Sequence, residues 1–429
     1  MTTVDEDTGA VSPTLLERPP HPRTGWRRLR RDVGVEYAAN GLIGLVFSST
    51  GPVAVILAAG AAGGLDAAEL ASWIFGVFVL NGVLTVAMSL AYRQPLGFAW
   101  TIPGTILVGN SLTHLSWPEV IGAFLATGGL ITALGASGLV RRAMSAVPMP
   151  IVMAMVAGVF LTFGIDLVRA VASDPAIAAP MVIVFLLFGA SNRLGRYVPP
   201  ILGALVAGAI AVAVTGRFAP TADTAGVFAS PVFTAPVFTP AALLELVIPL
   251  AITVLVVQNG QGVAVLTAAG HRPPVNVTTI ACGLWSLGAA CVGAVSTCLT
   301  GPTNALLTAS GRRERQYTAA VCFGLCAIVF GLFAPLFVNA MTAAPAAFVA
   351  TLGGLAMLRA LQAAFTTAFG SSHTMGALVA FVVTAANPMF LNIGAAFWGL
   401  ASGIVVSLLL ERADRPARTP GNRAPAGRP

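Results

Sequence analysis

Apolar residues run through this chain in long continuous stretches that are separated by short polar connections. Hydropathy predicts seven such segments before residue 216 and seven after residue 240. Because the apolar runs are continuous and do not alternate with a period of two, they predict transmembrane helices and exclude an outer-membrane β-barrel. The predicted segments are 37–60, 69–91, 97–111, 118–139, 147–169, 177–190 and 198–215, then 242–269, 275–296, 298–310, 317–340, 344–368, 374–387 and 390–410.

The composition is that of an all-α polytopic membrane protein. Of 429 residues, 56% are hydrophobic and 9% are charged, against roughly 25% charged residues in soluble proteins. A soluble enzyme is therefore excluded. The five cysteines lie in apolar stretches and form no CxxC pair, so we expect no disulfide framework, no metal site and no cofactor.

Arginine placement predicts the orientation of the segments. All 23 basic residues are arginine, and fourteen crossings with a cytoplasmic N-terminus leave only Arg169 and Arg217 outside. Both termini are then cytoplasmic and the connection at 216–240 is external. The repeated Pro-Val-Phe-Thr at Pro231 and Pro236 in that connection is compatible with a short extended hairpin or with a simple linker. Arginine-only usage in a chain rich in alanine and glycine indicates a bacterial protein of high GC content, which we expect in the cytoplasmic membrane and not bound to nucleic acid.

The two halves of the chain contain an internal repeat. Ser48–Gly60 aligns with Gln258–Gly270 with six identities in thirteen positions, and Thr101–Val108 pairs with Thr300–Leu307. Because seven crossings separate the copies, the second copy is predicted to be inverted in the membrane, as in secondary transporters. The predicted organisation is a tail at 1–35, a first repeat at 36–215, an external connection at 216–240, a second repeat at 241–410 and a tail at 411–429.

The third and the tenth segments are short, and each has a Thr-x-Pro motif at its middle. Proline fixes φ and lacks an amide hydrogen, so it is tolerated in the first turn of a helix. Each segment is therefore predicted to be an extended stretch followed by a half-helix, which begins after Thr101 or after Thr300. Since the segments run in opposite directions, their helix N-termini face one another and suit an anion or a polar ligand.

The first and the eighth segments are predicted to line the same cavity. Gln258, Asn259 and Gln261 place three amides in four residues of an apolar segment, and amides facing lipid are costly. Ser48–Pro52 supplies small and polar residues in the first segment. Helix packing through small residues and amide hydrogen bonds is the alternative interpretation of both stretches.

These residues resemble a known family. The run Gln94–Ser111 (QPLGFAWTIPGTILVGNS), with QNGQG at 258–262 and TGPTNALL at 300–307, is similar to the bacterial benzoate/proton symporter family (BenE-like). The resemblance covers the membrane portion from Glu36 to Leu410. More distantly, the layout is similar to that of nucleobase transporters and sulfate-type anion exchangers. Those proteins share a seven-plus-seven inverted fold with a core domain of segments 1 to 4 and 8 to 11 and a gate domain of segments 5 to 7 and 12 to 14.

The resemblance implies proton-driven import of benzoate or a related aromatic carboxylate, which binds between the half-helices of segments 3 and 10. Nucleobase carriers of this fold have a substrate-binding acid on the eighth segment, whereas this chain has Gln258, whose amide can donate to a carboxylate. Carriers of the resembling fold are often dimers, and a homodimer is compatible with this chain. The expected substrate-binding residues are Thr50, Gly51, Phe98, Trp100, Thr101, Ile102, Pro103, Gly104, Thr105, Gln258, Asn259, Gln261, Thr300, Gly301, Pro302, Thr303 and Asn304.

The proton-carrying group is not evident in the sequence. Asp166 is a candidate, although a helical ion pair with Arg169, three residues later, is the simpler interpretation. The other membrane-adjacent acids, which also lie near predicted segment ends, are Glu36, Glu119 and Glu245. The histidines are expected in the tail, in solvated loops and at the start of segment 13: His21, His114, His271 and His373.

Three other functions are alternatives to symport. A carrier for a nucleobase or another anion fits the same layout, and an anion channel would keep the dipole site without proton coupling. A membrane-embedded enzyme is disfavoured, because no segment carries paired carboxylates, a metal-ligand cluster or a nucleophile beside a base.

Overall fold

The fold is described by a computed structural model that covers residues 16–19, 25–49, 51–140, 148–190, 200–219, 226–309, 311–388, 390 and 395–411. Within these residues, seven helices are long and apolar enough to cross a membrane, and five shorter apolar helices accompany them. The seven are Val35–Ala62, Ala67–Tyr92, Trp117–Ser137, Met149–Ser173, Pro240–Ala268, Arg313–Leu332 and Ala346–Phe369.

Several of these spans are built from more than one helical element. In the first half the elements are α1 (Trp26–Asp32), α2 (Val35–Ser49), α3 (Gly51–Ala62), α4 (Ala67–Phe75), the π-helix π1 (Gly76–Leu80), α5 (Asn81–Tyr92), β1 (Phe98–Trp100), α6 (Ile102–Ser111), α7 (Trp117–Ser137), α8 (Met149–Ser173), α9 (Pro175–Ala190) and α10 (Pro200–Thr215). The second half has α11 (Pro240–Ala242), π2 (Leu243–Val247), α12 (Ile248–Ile252), π3 (Thr253–Asn259), α13 (Gly260–Ala268), α14 (Val275–Cys291), β2 (Thr297–Leu299), α15 (Gly301–Leu307), a 3₁₀ turn (Arg313–Arg315), α16 (Tyr317–Leu332), α17 (Ala334–Thr342), α18 (Ala346–Phe369), α19 (Thr374–Ala386) and α20 (Ala395–Leu410). These elements coincide in chain position with the fourteen predicted segments, while the number of crossings and the inverted arrangement stay predictions.

The two proline-containing segments have the local structure expected of them. Strands β1 and β2 pair antiparallel, with Ala99 opposite Cys298 at the centre of the ladder. Each strand leads through an extended threonine, Thr101 or Thr300, into a helix with proline in its first turn. The pairing satisfies the backbone groups of both extended stretches inside the protein, which is the condition for irregular backbone at membrane depth.

The long helices form two groups that pack mainly within themselves. The elements from 149–215 and from 346–410 contact one another, and those from 35–137 and 240–332 do the same around the strands. Within the second group, α5 and α16 approach so closely that a Cβ on Gly82 would lie 2.6 Å from the Gly324 carbonyl oxygen. The division into a core and a gate domain stays a proposal, with which this packing agrees.

The connection between the halves is a linker where the structure describes it. From 226 to 239 the chain contains no paired strand, and it contacts the ends of separate helices. Ala229 donates to the carbonyl of Leu332 and Val237 to that of Pro118. The hairpin alternative is therefore wrong for this part of the connection.

Candidate functional site

Asn304 holds the chain at the entrance to β1. Its Oδ1 accepts a hydrogen bond from the Gly97 N–H (2.9 Å), and its Nδ2 donates to the carbonyls of Gly97 (3.0 Å) and Thr300 (2.7 Å). The side chain is fully buried. Because both of its polar atoms serve the backbone, this side chain has a structural role, and its contact with a ligand carboxylate stays a prediction.

Asn259 binds the backbone at the end of β2. Its Oδ1 accepts from the Leu299 N–H at 2.7 Å, and its amide lies 3.8 Å from the Sγ of Cys282. The side chain is 3% exposed. The alternative interpretation of this amide, a structural hydrogen bond inside the protein, is the one that the geometry supports.

Three further polar side chains, which were not among the predicted site residues, hydrogen-bond to residues of the two strands. The Oγ1 of Thr85 accepts from the Phe98 N–H (2.9 Å), and Asn81 Oδ1 accepts from Thr297 Oγ1 (2.8 Å). The Oγ of Ser286 accepts from the Thr297 N–H (2.9 Å). The signal that could have found the first two is their spacing of four residues on an apolar helix, which puts both on one face.

The N-terminus of α6 is capped by a chain of hydroxyl groups. The Gly104 N–H donates to Thr101 Oγ1 (3.1 Å), which donates to Thr253 Oγ1 (3.0 Å), which in turn donates to the Leu250 carbonyl (2.8 Å). The Ile102 N–H, the first of the helix, finds no acceptor among the described residues. The cap therefore leaves one amide and the positive end of the helix dipole for a ligand.

Two buried side chains that were predicted to bind substrate have polar atoms without a partner in the described part of the chain. They are Trp100 Nε1, on a residue 3% exposed, and Gln258 Oε1, on a residue 5% exposed. The carbonyl of Ser296 accepts from the Thr101 N–H, and the buried hydroxyl of Ser296 also has no hydrogen-bond partner among the described residues. A buried polar atom left unpaired costs about 1–3 kcal/mol, so these groups are suited to pair with a ligand.

Trp100 belongs to a row of aromatic rings. Its ring centroid lies 5.1 Å from that of Phe78, which lies 4.6 Å from that of Phe330. Phe98 instead packs in a separate apolar cluster with Leu84 and Leu255. The contact of Phe98 with a bound ring stays a prediction, whereas Trp100 has the aromatic surroundings expected of such a contact.

The remaining predicted residues are either buried around the paired strands β1 and β2 or exposed at the surface. Gln261 and Pro302 are exposed, and the side chain of Gln261 lies against Gly301; the ligand contacts of both residues stay predictions. Thr50 lies outside the described residues, and Gly51 begins α3. The crossing buries Thr101, Pro103, Gly104, Thr105, Thr300, Gly301 and Thr303, and half-buries Ile102.

Among the ionisable residues, Asp166 lies as expected, whereas His114 and His271 do not. Asp166 pairs with Arg169 at 3.3 Å with both side chains exposed, which is the simpler interpretation given above. His114, expected in solvent, instead lies 2.9 Å from the carboxylate of buried Glu245. His271 is also buried and contacts Gln316 Oε1 at 2.7 Å, and this burial lowers the pKa of the imidazole.

Among the described residues, no three His, Cys, Asp or Glu side chains converge as metal ligands. His373 is exposed at the start of α19 and contacts Ser372. The chemistry available at the strand crossing is therefore that of hydrogen-bond donors and a helix dipole.

Comparison with protein families identifies the chain's relatives. A family model described as "Benzoate membrane transport protein" matches residues 32–409. The inner membrane protein YdcO of Escherichia coli is 29% identical over 380 residues, which cover 87% of this chain and 96% of that protein. A benzoate membrane transport protein of Acinetobacter baylyi is 26% identical over 389 residues, which cover 90% of this chain and 97% of that protein.

Comparison with solved structures identifies the fold. The transmembrane domain of a cyanobacterial bicarbonate transporter, BicA, superposes with a TM-score of 0.58 at 15% identity and covers 87% of this chain and 98% of that domain. SLC26A9 superposes with a TM-score of 0.61 at 15% identity, over 86% of this chain and 64% of that chain. The helices and the crossed strands therefore have the architecture of these transporters.

Proposed function

This chain belongs to the benzoate membrane transport protein family and is a membrane transporter, and we propose that it imports benzoate or a related aromatic carboxylate together with a proton. Membership in a transporter family confirms that the chain is not an enzyme. The observation that carries the substrate proposal is the pair of unpartnered buried groups on Trp100 and Gln258 beside the strand crossing.

The carboxylate is proposed to bind at the N-terminus of α6. Trp100 directly precedes the capping residue Thr101, and Gln258 shares π3 with Thr253, to which that cap is hydrogen-bonded. The indole N–H is a donor, and rotation of the Gln258 amide by 180° presents its NH₂ group in place of Oε1. With the Ile102 N–H, these groups supply donors to both oxygens of one carboxylate.

Backbone amides of α15 are proposed to contribute from the opposite side of the crossing. The side chain of Thr300 makes no cap bond to this helix, so the first-turn amides of Gly301 and Thr303 are available. Since α15 has only seven residues, we assign the larger electrostatic contribution to α6.

The aromatic ring is proposed to rest against Trp100 and Phe78. Both side chains are buried and their centroids lie 5.1 Å apart, within the distance at which aromatic rings attract one another. A ring beside this pair would keep its carboxylate directed at the indole N–H. This arrangement favours a planar aromatic acid over an aliphatic one.

A proton is proposed as the coupling ion for an energetic reason. The negative interior of the cell opposes anion entry by about 2.3 kcal/mol per charge per 100 mV. One proton moved with each carboxylate makes the cycle electroneutral and lets a pH gradient drive accumulation.

We place the chain in the bacterial cytoplasmic membrane with both termini cytoplasmic and propose a homodimer, which analytical ultracentrifugation in detergent would test.

Uptake of radiolabelled benzoate into proteoliposomes tests the proposed function. The initial rate should rise when the outside is made more acidic than the inside, after subtraction of the rate in protein-free vesicles, through which neutral benzoic acid diffuses. A rate equal to that of protein-free vesicles at every gradient would contradict the proposal.

A carrier or channel for another anion is the second candidate, because the fold neighbours are described as a bicarbonate transporter and an anion transporter. Competition of unlabelled bicarbonate, sulfate and uracil against benzoate uptake separates these substrates. Benzoate flux that is insensitive to an imposed pH jump would favour a channel.

A further inference from the structure

Glu245 is a buried carboxylate that the proposed substrate site does not use. It lies in π2 and is 5% exposed. Its Oε1 hydrogen-bonds to Ser111 Oγ, and its Oε2 lies 2.9 Å from Nε2 of His114, whose side chain is 12% exposed. The three side chains, called here the Ser–His–Glu cluster, join the end of α6 to the eighth segment.

The cluster has one charged neighbour. Of the elements packed against π2, which are α6, α7, α11, α12 and α20, only α7 carries a charged residue, Glu119. Glu119 hydrogen-bonds to the N–H and hydroxyl of Ser116 at the exposed start of α7, and it interacts electrostatically with His114. With His114 neutral and Glu245 ionised, the cluster has a charge of −1, and one proton brings it to zero whichever of the two groups holds that proton.

The hydroxyl on the Glu245 side can serve both charge states. Ser111 Oγ lies within hydrogen-bond distance of the Leu107 carbonyl (3.1 Å) as well as of the carboxylate. A hydroxyl has one hydrogen, so Ser111 donates to ionised Glu245 or, when Glu245 is protonated, accepts from it and donates to Leu107.

The hydroxyl on the His114 side has the same freedom. Thr113 Oγ1 lies 2.7 Å from the Asn110 carbonyl and 3.3 Å from Nδ1 of His114. It can donate to Nδ1 of the neutral ring, or donate to Asn110 and accept from Nδ1–H of the imidazolium. The cluster therefore gains and loses a proton without leaving a hydrogen bond unmade.

The cluster also faces a cleft between the two helix groups. This cleft has a volume of about 20 Å³, room for about one water molecule, and Glu245 and Ser111 line it. Thr384 and Asn387 at the end of α19 and Ala395 and Ala396 at the start of α20 form its other wall. Glu245 thus lies where the proposed core domain meets the proposed gate domain.

We propose that the Ser–His–Glu cluster is the proton-coupling site of this transporter, an inference that rests on the proposed function. An ionised carboxylate resists movement past the alanine side chains of the opposite wall, because a buried charge that loses its partners is costly. Uptake of one proton neutralises the cluster and removes that barrier. The core then moves past α19 and α20 with the proton and the carboxylate substrate, and the proton leaves on the other side.

The test compares Glu245→Gln with wild type in two transport assays. Glutamine keeps the size and the hydrogen bonding of Glu245 but cannot take up a proton. We expect the steady-state accumulation of benzoate that a gradient of one pH unit drives, about tenfold at most for one coupled proton, to disappear in this variant. Benzoate counterflow at equal pH on both sides, which needs no net proton movement, should stay within about twofold of wild type.

The matched control is Glu119→Gln, because glutamine at this position also completes a capping box. This variant should keep the full gradient-driven accumulation. Wild-type accumulation in Glu245→Gln would overturn the proposal, and so would loss of accumulation in both variants, since the effect would then be general to carboxylates on this face.

An infrared measurement keeps the inference separate from the choice of substrate. The pH-difference spectrum of purified wild type should contain a band of proton uptake by the cluster, either the C=O band of a protonated carboxyl group or an imidazolium band of His114, that is missing in Glu245→Gln and present in Glu119→Gln. If wild type fails to transport benzoate, the proposed function fails, and this band still decides whether the cluster takes up a proton. Identical spectra of wild type and Glu245→Gln would overturn the inference.

Discussion

Gly97 and Asn304 are joined by a pair of hydrogen bonds, in which the amide side chain of Asn304 binds both the N–H and the carbonyl of Gly97 at 2.9 and 3.0 Å. The side chain thus takes the place of a neighbouring strand just where β1 begins. It ties the start of β1 to the helix that follows β2, so the two Thr-x-Pro motifs form one structural unit.

Replacing Asn304 with alanine should destabilise the protein. The change leaves the buried N–H of Gly97 unpaired, which costs about 1–3 kcal/mol, while the Gly97 carbonyl keeps its hydrogen bond from the Thr300 N–H. We expect a lower melting temperature of the detergent-solubilised protein, measured by fluorescence-detected size-exclusion chromatography after heating. Thr308→Ala, which removes a partly buried hydroxyl bonded within its own helix, is the control and should change little. An unchanged melting temperature of Asn304→Ala would contradict the structural role.

Replacing Trp100 with phenylalanine should weaken benzoate binding. The variant keeps an aromatic ring beside Phe78 but loses the indole N–H, so affinity should fall by about 1–3 kcal/mol, or roughly 5- to 150-fold. Isothermal titration calorimetry of the purified protein measures this. Trp73→Phe is the matched control, because Trp73 Nε1 is also buried without a described partner but its ring stacks on Trp117, away from β1. Equal affinities of the two variants would remove the Trp100 indole from the site.

Replacing Gln258 with glutamate should abolish benzoate uptake at neutral pH. The substitution places a buried negative charge beside the proposed carboxylate, and like charges at contact distance repel strongly where water is excluded. Gln261→Glu is the control, since this nearby amide is exposed. Initial uptake rates should be lost in the first variant and kept in the second. Uptake retained by Gln258→Glu would show that π3 does not face the anion.

The stability of the protein should decrease as the pH falls below about 6.5, and His271 should account for part of that decrease. Burial lowers the pKa of His271 in the folded protein, with Arg313 acting in the same direction and the hydrogen bond to Gln316 opposing it. The unfolded chain therefore binds a proton at a higher pH than the folded chain, and stability is lost between the unfolded and the folded pKa values. The difference in melting temperature between wild type and His271→Gln should shrink from pH 7.5 to pH 5.5. A constant difference would show that this imidazole does not titrate differently on folding.

The sequence was sufficient for the features that rest on local chemistry. Pro103 and Pro302 predicted both strand-to-helix units, and the i,i+3 spacing of Asp166 and Arg169 predicted their ion pair. The hydrophobic pattern predicted the positions of the helices, because a membrane-spanning helix is apolar both where it faces lipid and where it packs against other helices.

Features that depend on contacts between distant parts of the chain could not be predicted from the sequence. The amides of Asn259 and Asn304 looked like ligand groups because their partners lie 40 and 207 residues away. His114 was expected in a solvated loop for the same reason, since its partner Glu245 lies 131 residues away. The π-helices were also missed, since one extra residue in a helical turn leaves no mark on an apolar stretch.

The crossed strands have a consequence for synthesis in the cell. β1 is made well before β2, and Asn304 follows Gly97 by 207 residues, or roughly 10–40 s at 5–20 residues per second. During that interval β1 lacks its partner strand and has only the hydrogen bonds between Thr85 and Phe98, and lipid does not tolerate an extended stretch that is otherwise unpaired. The nascent first half must therefore wait beside the insertion machinery, or in a hydrated setting, until the second half arrives, and the two halves become a stable membrane protein only together.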